Sequence, residues 1–245
     1  MYSRLKNIYI FYKERALFFL QTVRRIPILL MLGLEIGIGI VTSLFTSLLF
    51  FKMTDSILDK DGFGFDMQII TFLYNLRTPL LTSIMKSISF IGMDGIIFFS
   101  IIIPVIFYLK RRRHEAILFT IMIVMGAVID FLLKLITQRP RPTFAPLVIE
   151  HSFSFPSGHS MNSFIFFTTV AYFIYHFTHK KKISLLAFLV SAIIILVVGI
   201  SRIYLGVHYP SDVLGGYLAG LLWMASFIVI DKTLTFFKLF KQSKK

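Results

Sequence analysis

Six stretches of this chain stay apolar for about 18 residues or more, the length at which an α-helix crosses the hydrocarbon of a bilayer. They fall near Pro27–Phe51, Gly92–Leu109, Ala116–Ile136, Ser160–Phe177, Ile183–Ile200 and Val213–Ile230. A soluble domain of 245 residues has no use for so many. The pattern predicts an all-α integral membrane protein, a six-helix bundle with short interfacial helices. The first run is too long for the core of a signal peptide and has no small-residue cleavage site, so it reads as an uncleaved anchor.

The formal charge of +14 could point to nucleic acid, but its placement does not. Most of the 26 Lys and Arg lie in Met1–Ile26, at Lys110–Arg113, at Lys180–Lys182 and in the tail after Asp231. These clusters alternate with the other connections, as the positive-inside rule requires. The basic face therefore meets anionic lipid and binds no nucleic acid. Both termini are expected in the cytoplasm, with Lys52–Ile91, Thr137–His159 and Ser201–Asp212 outside. Residues 1–26 read as an amphipathic cytoplasmic segment along the inner interface. Residues 27–231 form one six-span membrane domain, and 232–245 a basic cytoplasmic tail. Phe65–Phe90, interrupted by Arg77, Pro79 and Lys86, reads as outer interfacial helices. Cysteine is absent, so no thiolate or disulfide chemistry is available.

Three polar clusters interrupt the apolar sequence, and the span count puts all of them at the outer face. They are Lys134-x6-Arg141-Pro142, then Pro156-Ser157-Gly158-His159, then Ser201-Arg202-x5-His208-x3-Asp212. The 42 residues from His159 to Ser201 make two legs of about 30 Å at 1.5 Å per residue, so the chain dives in and returns beside its start. Ionisable groups at such places are costly and need partners or a function. A lone basic residue at a membrane edge is ordinarily a snorkelling anchor, and a lone Pro-Ser-Gly-His a turn. The conjunction of all three, in order and on one side, is what points to chemistry.

That chemistry is phosphoryl transfer, which needs preorganised positive charge and donors around a phosphate. Lys134, Arg141 and Arg202 supply cations, and an arginine can hold two oxygens at once. Ser157 and Gly158 open the fourth span, where free N–H groups of a helix start face an anion. His208 has Asp212 four residues on, a carboxylate able to hold one ring N–H and leave the other nitrogen as nucleophile. His159, beside the phosphate cradle, suits the acid that protonates the leaving oxygen.

Other polar residues admit two readings. Asp130 lies one turn before Lys134 and either positions it or is an interfacial carboxylate. Arg139 either touches a second phosphate or rims the site. Asp55, Asp59, Asp61 and Asp66 read as a solvated acidic loop, since their spacing fails the calcium-loop template. His151 could line the substrate entrance. Glu35, in the first span, reads as an interhelical hydrogen-bonding group.

The three clusters resemble, without a departure, the tripartite signature of the type 2 phosphatidic acid phosphatase family over Lys134–Asp212. The resemblance implies a metal-independent phosphatase with no cofactor and a phosphohistidine on His208, with His159 as acid. Lys134, Arg141, Ser157, Gly158 and Arg202 would bind phosphate. The expected partners are a lipid phosphate and membrane lipids. For a bacterial chain the resemblance points first to undecaprenyl diphosphate, with phosphatidylglycerophosphate, phosphatidic acid and a lipid phosphotransferase as alternatives.

Overall fold

The computed structural model describes the backbone of residues 2–59 and 63–243, and the side chains of 27–59 and 63–241. The described residues are helical, with no strand. The order is α1 (Tyr2–Leu58), α2 (Gly64–Asn75), α3 (Pro79–Phe90), α4 (Ile96–Leu109), α5 (Arg113–Thr137), α6 (Gly158–Thr178), α7 (Lys181–Tyr204) and α8 (Pro210–Ser243). A single π turn, Ile91–Gly95, joins α3 to α4.

Among the described residues, five helical stretches are long and apolar enough to cross a membrane: Pro27–Leu58, Pro79–Leu109, Arg113–Thr137, Lys181–Tyr204 and Pro210–Lys241. In the second, α3, the π turn and α4 run on from one another, so the helix that carries the expected Gly92–Leu109 span begins at Pro79, and Leu81 and Met85 of α3 pack with Leu147, Val148, Leu205 and Val207 of the connections expected outside. Pro79 starts a helix here rather than breaking one. It occupies the first turn, where its missing N–H costs nothing, and the Thr78 hydroxyl caps the Leu81 N–H at 3.2 Å. Lys86 sits on the exposed side and interrupts nothing. Only α2 remains a separate short helix. The basic stretch 2–26 continues in α1, and the reading of its side chains as an amphipathic face lies outside the described residues. So does Asp61.

Helix α6, at 21 residues, is less apolar for a physical reason. It is the most enclosed helix, with Ser160, Ser163, Ile165 and Thr169 all buried, so it faces protein rather than lipid. Its hydroxyls find partners within the bundle, Ser163 donating to the Ser160 carbonyl at 3.1 Å. Phe119 of α5 is fully buried and meets Phe107 and Phe166 edge-on.

The chain divides into two compact units, 43–224 and a smaller one made of 1–42 with 225–245. In the smaller unit Glu35 of α1 pairs with Lys232 of α8 at 2.9 Å, an interhelical contact as expected. In the larger unit α8 approaches α6 through Gly216. A Cβ there would lie 2.7 Å from the Ser157 carbonyl and 3.1 Å from the Met161 nitrogen, both backbone atoms that cannot swing aside. Gly216→Ala should therefore cost about 1–3 kcal/mol and disturb the start of α6. A lowered melting temperature in detergent together with reduced turnover is the expected result; an unchanged protein would refute this packing.

Candidate active site

Four helix ends and one loop of the larger unit build the site. Helix α5 delivers Lys134 in its last turn and stops at Gln138, whose left-handed backbone (φ 45°) turns the chain out of the helix. The next 20 residues carry no regular structure, and a loop of that length in a compact domain is ordinarily functional. It is tied down at several points. Leu147 N–H bonds the Leu205 carbonyl, Ser154 N–H the Arg139 carbonyl and Ser157 N–H the Asp212 carbonyl, each at 2.9 Å. Arg77, between α2 and α3, donates to the carbonyls of Ala145 (2.7 Å) and Tyr204 (2.7 Å), stapling the loop to the end of α7.

Each sequence-predicted residue has a defined place. Lys134 Nζ donates to Asp130 Oδ1 and to the Pro156 carbonyl, both at 2.5 Å, so Asp130 does position the lysine. Gly158 sits directly on that pair. A Cβ on it would come within 2.7 Å of Asp130 Oδ2 and 3.2 Å of Lys134 Nζ, which is why a glycine opens α6. Ser157 is its N-cap residue, buried and accepting from Ser160 Oγ at 3.0 Å. Arg202 is buried in the last turn of α7, donating to Ser89 and to Glu150; its Nε has no partner. Arg141 holds the loop through the Ser152 carbonyl (2.7 Å) and the Val207 carbonyl (2.8 Å). No hydrogen bond ties the His159 ring to a described residue, while Arg202, Arg141, Lys134 and His208 all act on it electrostatically.

The geometry around His208 decides its tautomer. Arg141 Nη1 lies 3.0 Å from Nε2. A guanidinium only donates, so Nε2 presents its lone pair and the ring proton sits on Nδ1. Nδ1 faces Asp212 Oδ2 at 3.4 Å. Burial pushes the His208 pKa down to about 4, against the Asp212 hydrogen bond that raises it, and Arg141 and Arg202 push it further the same way.

Asp212 itself has no exposed surface. Pro210 starts α8, and Asp212 in its first turn reaches back to the Tyr209 N–H at 2.8 Å, the carboxylate half of a capping box. Ser154 Oγ donates to the same oxygen at 2.5 Å, and Arg139 Nη1 to the other at 2.6 Å.

Several of these residues were not legible in the sequence. Ser154, Ser89 and Glu150 belong to no motif. Asp66 corrects the reading of a solvated acidic loop: it is buried in the first turn of α2, accepting the Ser211 N–H at 2.8 Å and pairing with Arg139 at 3.2 Å. His151 is exposed beside Glu150. Among the described residues no three His, Asp or Glu converge as metal ligands.

The profile of the PAP2 superfamily matches residues 114–236. Phosphatidylglycerophosphatase B of Bacillus subtilis (strain 168) is 38% identical over 149 residues, covering 60% of this chain and 73% of the relative. The crystal structure of a transmembrane PAP2-type phosphatidylglycerolphosphate phosphatase from Bacillus subtilis superposes with a TM-score of 0.71 at 31% identity, covering 78% of this chain and 96% of that one. That of Aquifex aeolicus LpxE gives 0.53 at 26% identity, over 69% and 96%. The chain belongs to the PAP2 superfamily. It is a multi-pass membrane lipid phosphatase, a phosphoric ester hydrolase.

The unfolded chain protonates an imidazole near 6.5 and the folded one protonates His208 near 4, so His208 favours folding at neutral pH and that contribution is lost as pH falls below 6.5. A 15N-histidine titration of the protein in detergent should place the His208 midpoint near 4, with Nδ1 protonated above it. A midpoint near 6.5, or a proton on Nε2, would contradict the site.

Proposed function

We propose that the chain cleaves the phosphate monoester of a membrane lipid through a phosphohistidine, with His208 as nucleophile, His159 as acid and Asp212 as the group that orients His208. The observation that carries this reading is the placing of the His208 ring, with Nε2 3.0 Å from Arg141 and Nδ1 3.4 Å from the buried Asp212 carboxylate, which assigns the lone pair to Nε2. In the first step Nε2 bonds phosphorus as the bond to the lipid oxygen breaks, and His159 gives that oxygen its proton. Water then attacks the phosphohistidine, giving a proton to His159 and freeing phosphate and the His208 ring. Lys134, Arg141, Arg202 and the backbone N–H groups opening α6, with Ser157 and Gly158, hold the phosphate oxygens. Arg141 and Arg202, which in this structure face Glu150 and loop carbonyls, exchange those partners for phosphate.

We take α6 as the sixth span, with both termini cytoplasmic and the site at the outer face. Lys and Arg clustered in the opposite connections support that orientation. The substrate we favour is phosphatidylglycerophosphate, the compound class named in two of the relatives matched. Undecaprenyl diphosphate, the sequence expectation, has no separate support in the geometry. Sideways access from lipid is supported by an apolar groove of about 1130 Å³ between α4, α5 and α6. Its wall runs from Arg113 to Phe131, three residues short of Lys134, and includes Asn162, one turn from His159.

Purified protein, in detergent with a chelator present, should release phosphate from phosphatidylglycerophosphate faster than from phosphatidic acid or undecaprenyl diphosphate. His208→Ala should abolish turnover while leaving the protein folded. His159→Ala should slow poor leaving groups more than activated ones. Turnover that persists without His208, or that requires added metal, would refute the mechanism. Filling the groove with Ala127→Trp should raise KM for long-chain substrates and leave a short-chain, water-soluble phosphate unaffected. Equal effects on both would refute lateral access through this groove.

A further inference from the structure

Among the described residues, Arg139 is the one cation near the site whose guanidinium is committed to carboxylates on two different helices. Nη1 donates to Asp212 Oδ1 at 2.6 Å and to Ser211 Oγ at 2.7 Å, and Nη2 to Asp66 Oδ2 at 3.2 Å. Its plane lies over the Tyr209 ring, 4.2 Å from the centroid. Asp66, brought in by α2, takes the Ser211 N–H at 2.8 Å and the Ser211 hydroxyl at 2.6 Å. Asp66 and Asp212 are buried and Arg139 is partly buried, with its side chain 10% exposed. Nη1 spends both its N–H groups on Asp212 and Ser211 and Nη2 spends one on Asp66, so the reading of Arg139 as a ligand for a second phosphate has a single Nη2 N–H to rest on.

We propose that Arg139 and Asp66 are positioning residues for the reaction: a guanidinium clamped between two buried carboxylates fixes Asp212, and through it the Nδ1–H tautomer of His208. This rests on the reading of His208 as nucleophile. The physical need is clear. A carboxylate without exposed surface is stable only if paired and fully hydrogen-bonded. Asp212 must accept from His208 without capturing a proton for it, because a charged ring has no lone pair. Arg139 balances Asp212 on the oxygen that His208 does not use, and Asp66 fixes Arg139 from the far side. The charged groups facing this pair are Arg141 from the loop, Arg202 from α7, His159 from α6 and Lys134 from α5, all on the phosphate side. Helix α2, outside every motif, thereby becomes part of the catalytic apparatus.

The test uses full-length protein in detergent, with kcat, KM and pH profiles for a lipid monoester and a lipid diphosphate. Asp66→Asn and Arg139→Lys keep shape but break the clamp, since a lysine cannot bridge two carboxylates as the planar fork does. Each should lower kcat about tenfold or more with KM held within about twofold, on both substrates alike. Removing the cation in Arg139→Gln leaves Asp212 free to pull on the ring, so the acid limb of kcat/KM moves up in pH; Asp66→Asn moves it down. The substrate's own ionisation is common to all variants and cancels in the comparison. A rise in KM with kcat unchanged, a loss confined to the diphosphate, or unmoved limbs would overturn the proposal. So would failure of both conservative variants to fold, which would assign the pair to the scaffold alone. His208→Ala run alongside separates the two claims: if it stays active the nucleophile reading fails, whereas an inactive His208→Ala beside normal Arg139 variants sinks only the clamp.

Discussion

Everything in this site turns on holding a buried negative charge at the start of α8. Asp212 has no water to solvate it, so the protein must surround it with donors, and it does so from four directions. The Tyr209 N–H comes from its own helix start, Ser154 from the long loop, Arg139 from just past α5, and His208 from the turn after α7. Each donor ties a different part of the chain to the same carboxylate, and the Ser157 N–H bonds its backbone carbonyl as well. One residue thus registers the start of α6, the His208 ring and the loop against each other. The same logic explains why the cations are not loose: Lys134 is paired with Asp130, and Arg202 with Glu150.

This economy of charge has a membrane origin. Helix ends near the bilayer cannot leave ionised groups unpartnered, so every cation meant for phosphate needs a partner while phosphate is away. Carboxylates and loop carbonyls serve that purpose here. In the proposed mechanism a substrate phosphate exchanges one set of protein contacts for another, rather than drawing solvated arginines out of water. The site is preorganised in the sense that matters for phosphoryl transfer, where positioning and charge do most of the work.

How much of this the sequence reveals depends on whether a residue's partner is near it along the chain. Lys134 with Asp130 and His208 with Asp212 are four apart, near enough along the chain for both pairs to be readable. The three motifs were readable because their spacing fits helices that return to one face. Asp66 was misread because its partners, Ser211 and Arg139, are far from it in sequence, and an acidic loop gives the same composition whether solvated or buried. Glu150 and Ser89 were invisible for the same reason. The start of α3 was not readable because Pro79 was taken as an interruption, whereas its cap makes it a start. Helix α6 shows the reverse limit. Its polar residues lower its hydropathy because it is enclosed by protein, a fact of tertiary packing that composition alone does not carry.

The central claim is that the imidazole of residue 208 becomes covalently phosphorylated, and it can be tested without inference from rates. Protein mixed briefly with lipid bearing a radiolabelled phosphate should be quenched in alkali, digested, and its phosphopeptides mapped by mass spectrometry. The account predicts one acid-labile, alkali-stable phosphate on the peptide holding His208, absent when that residue is alanine. Label on another residue, or label that survives acid, would contradict it.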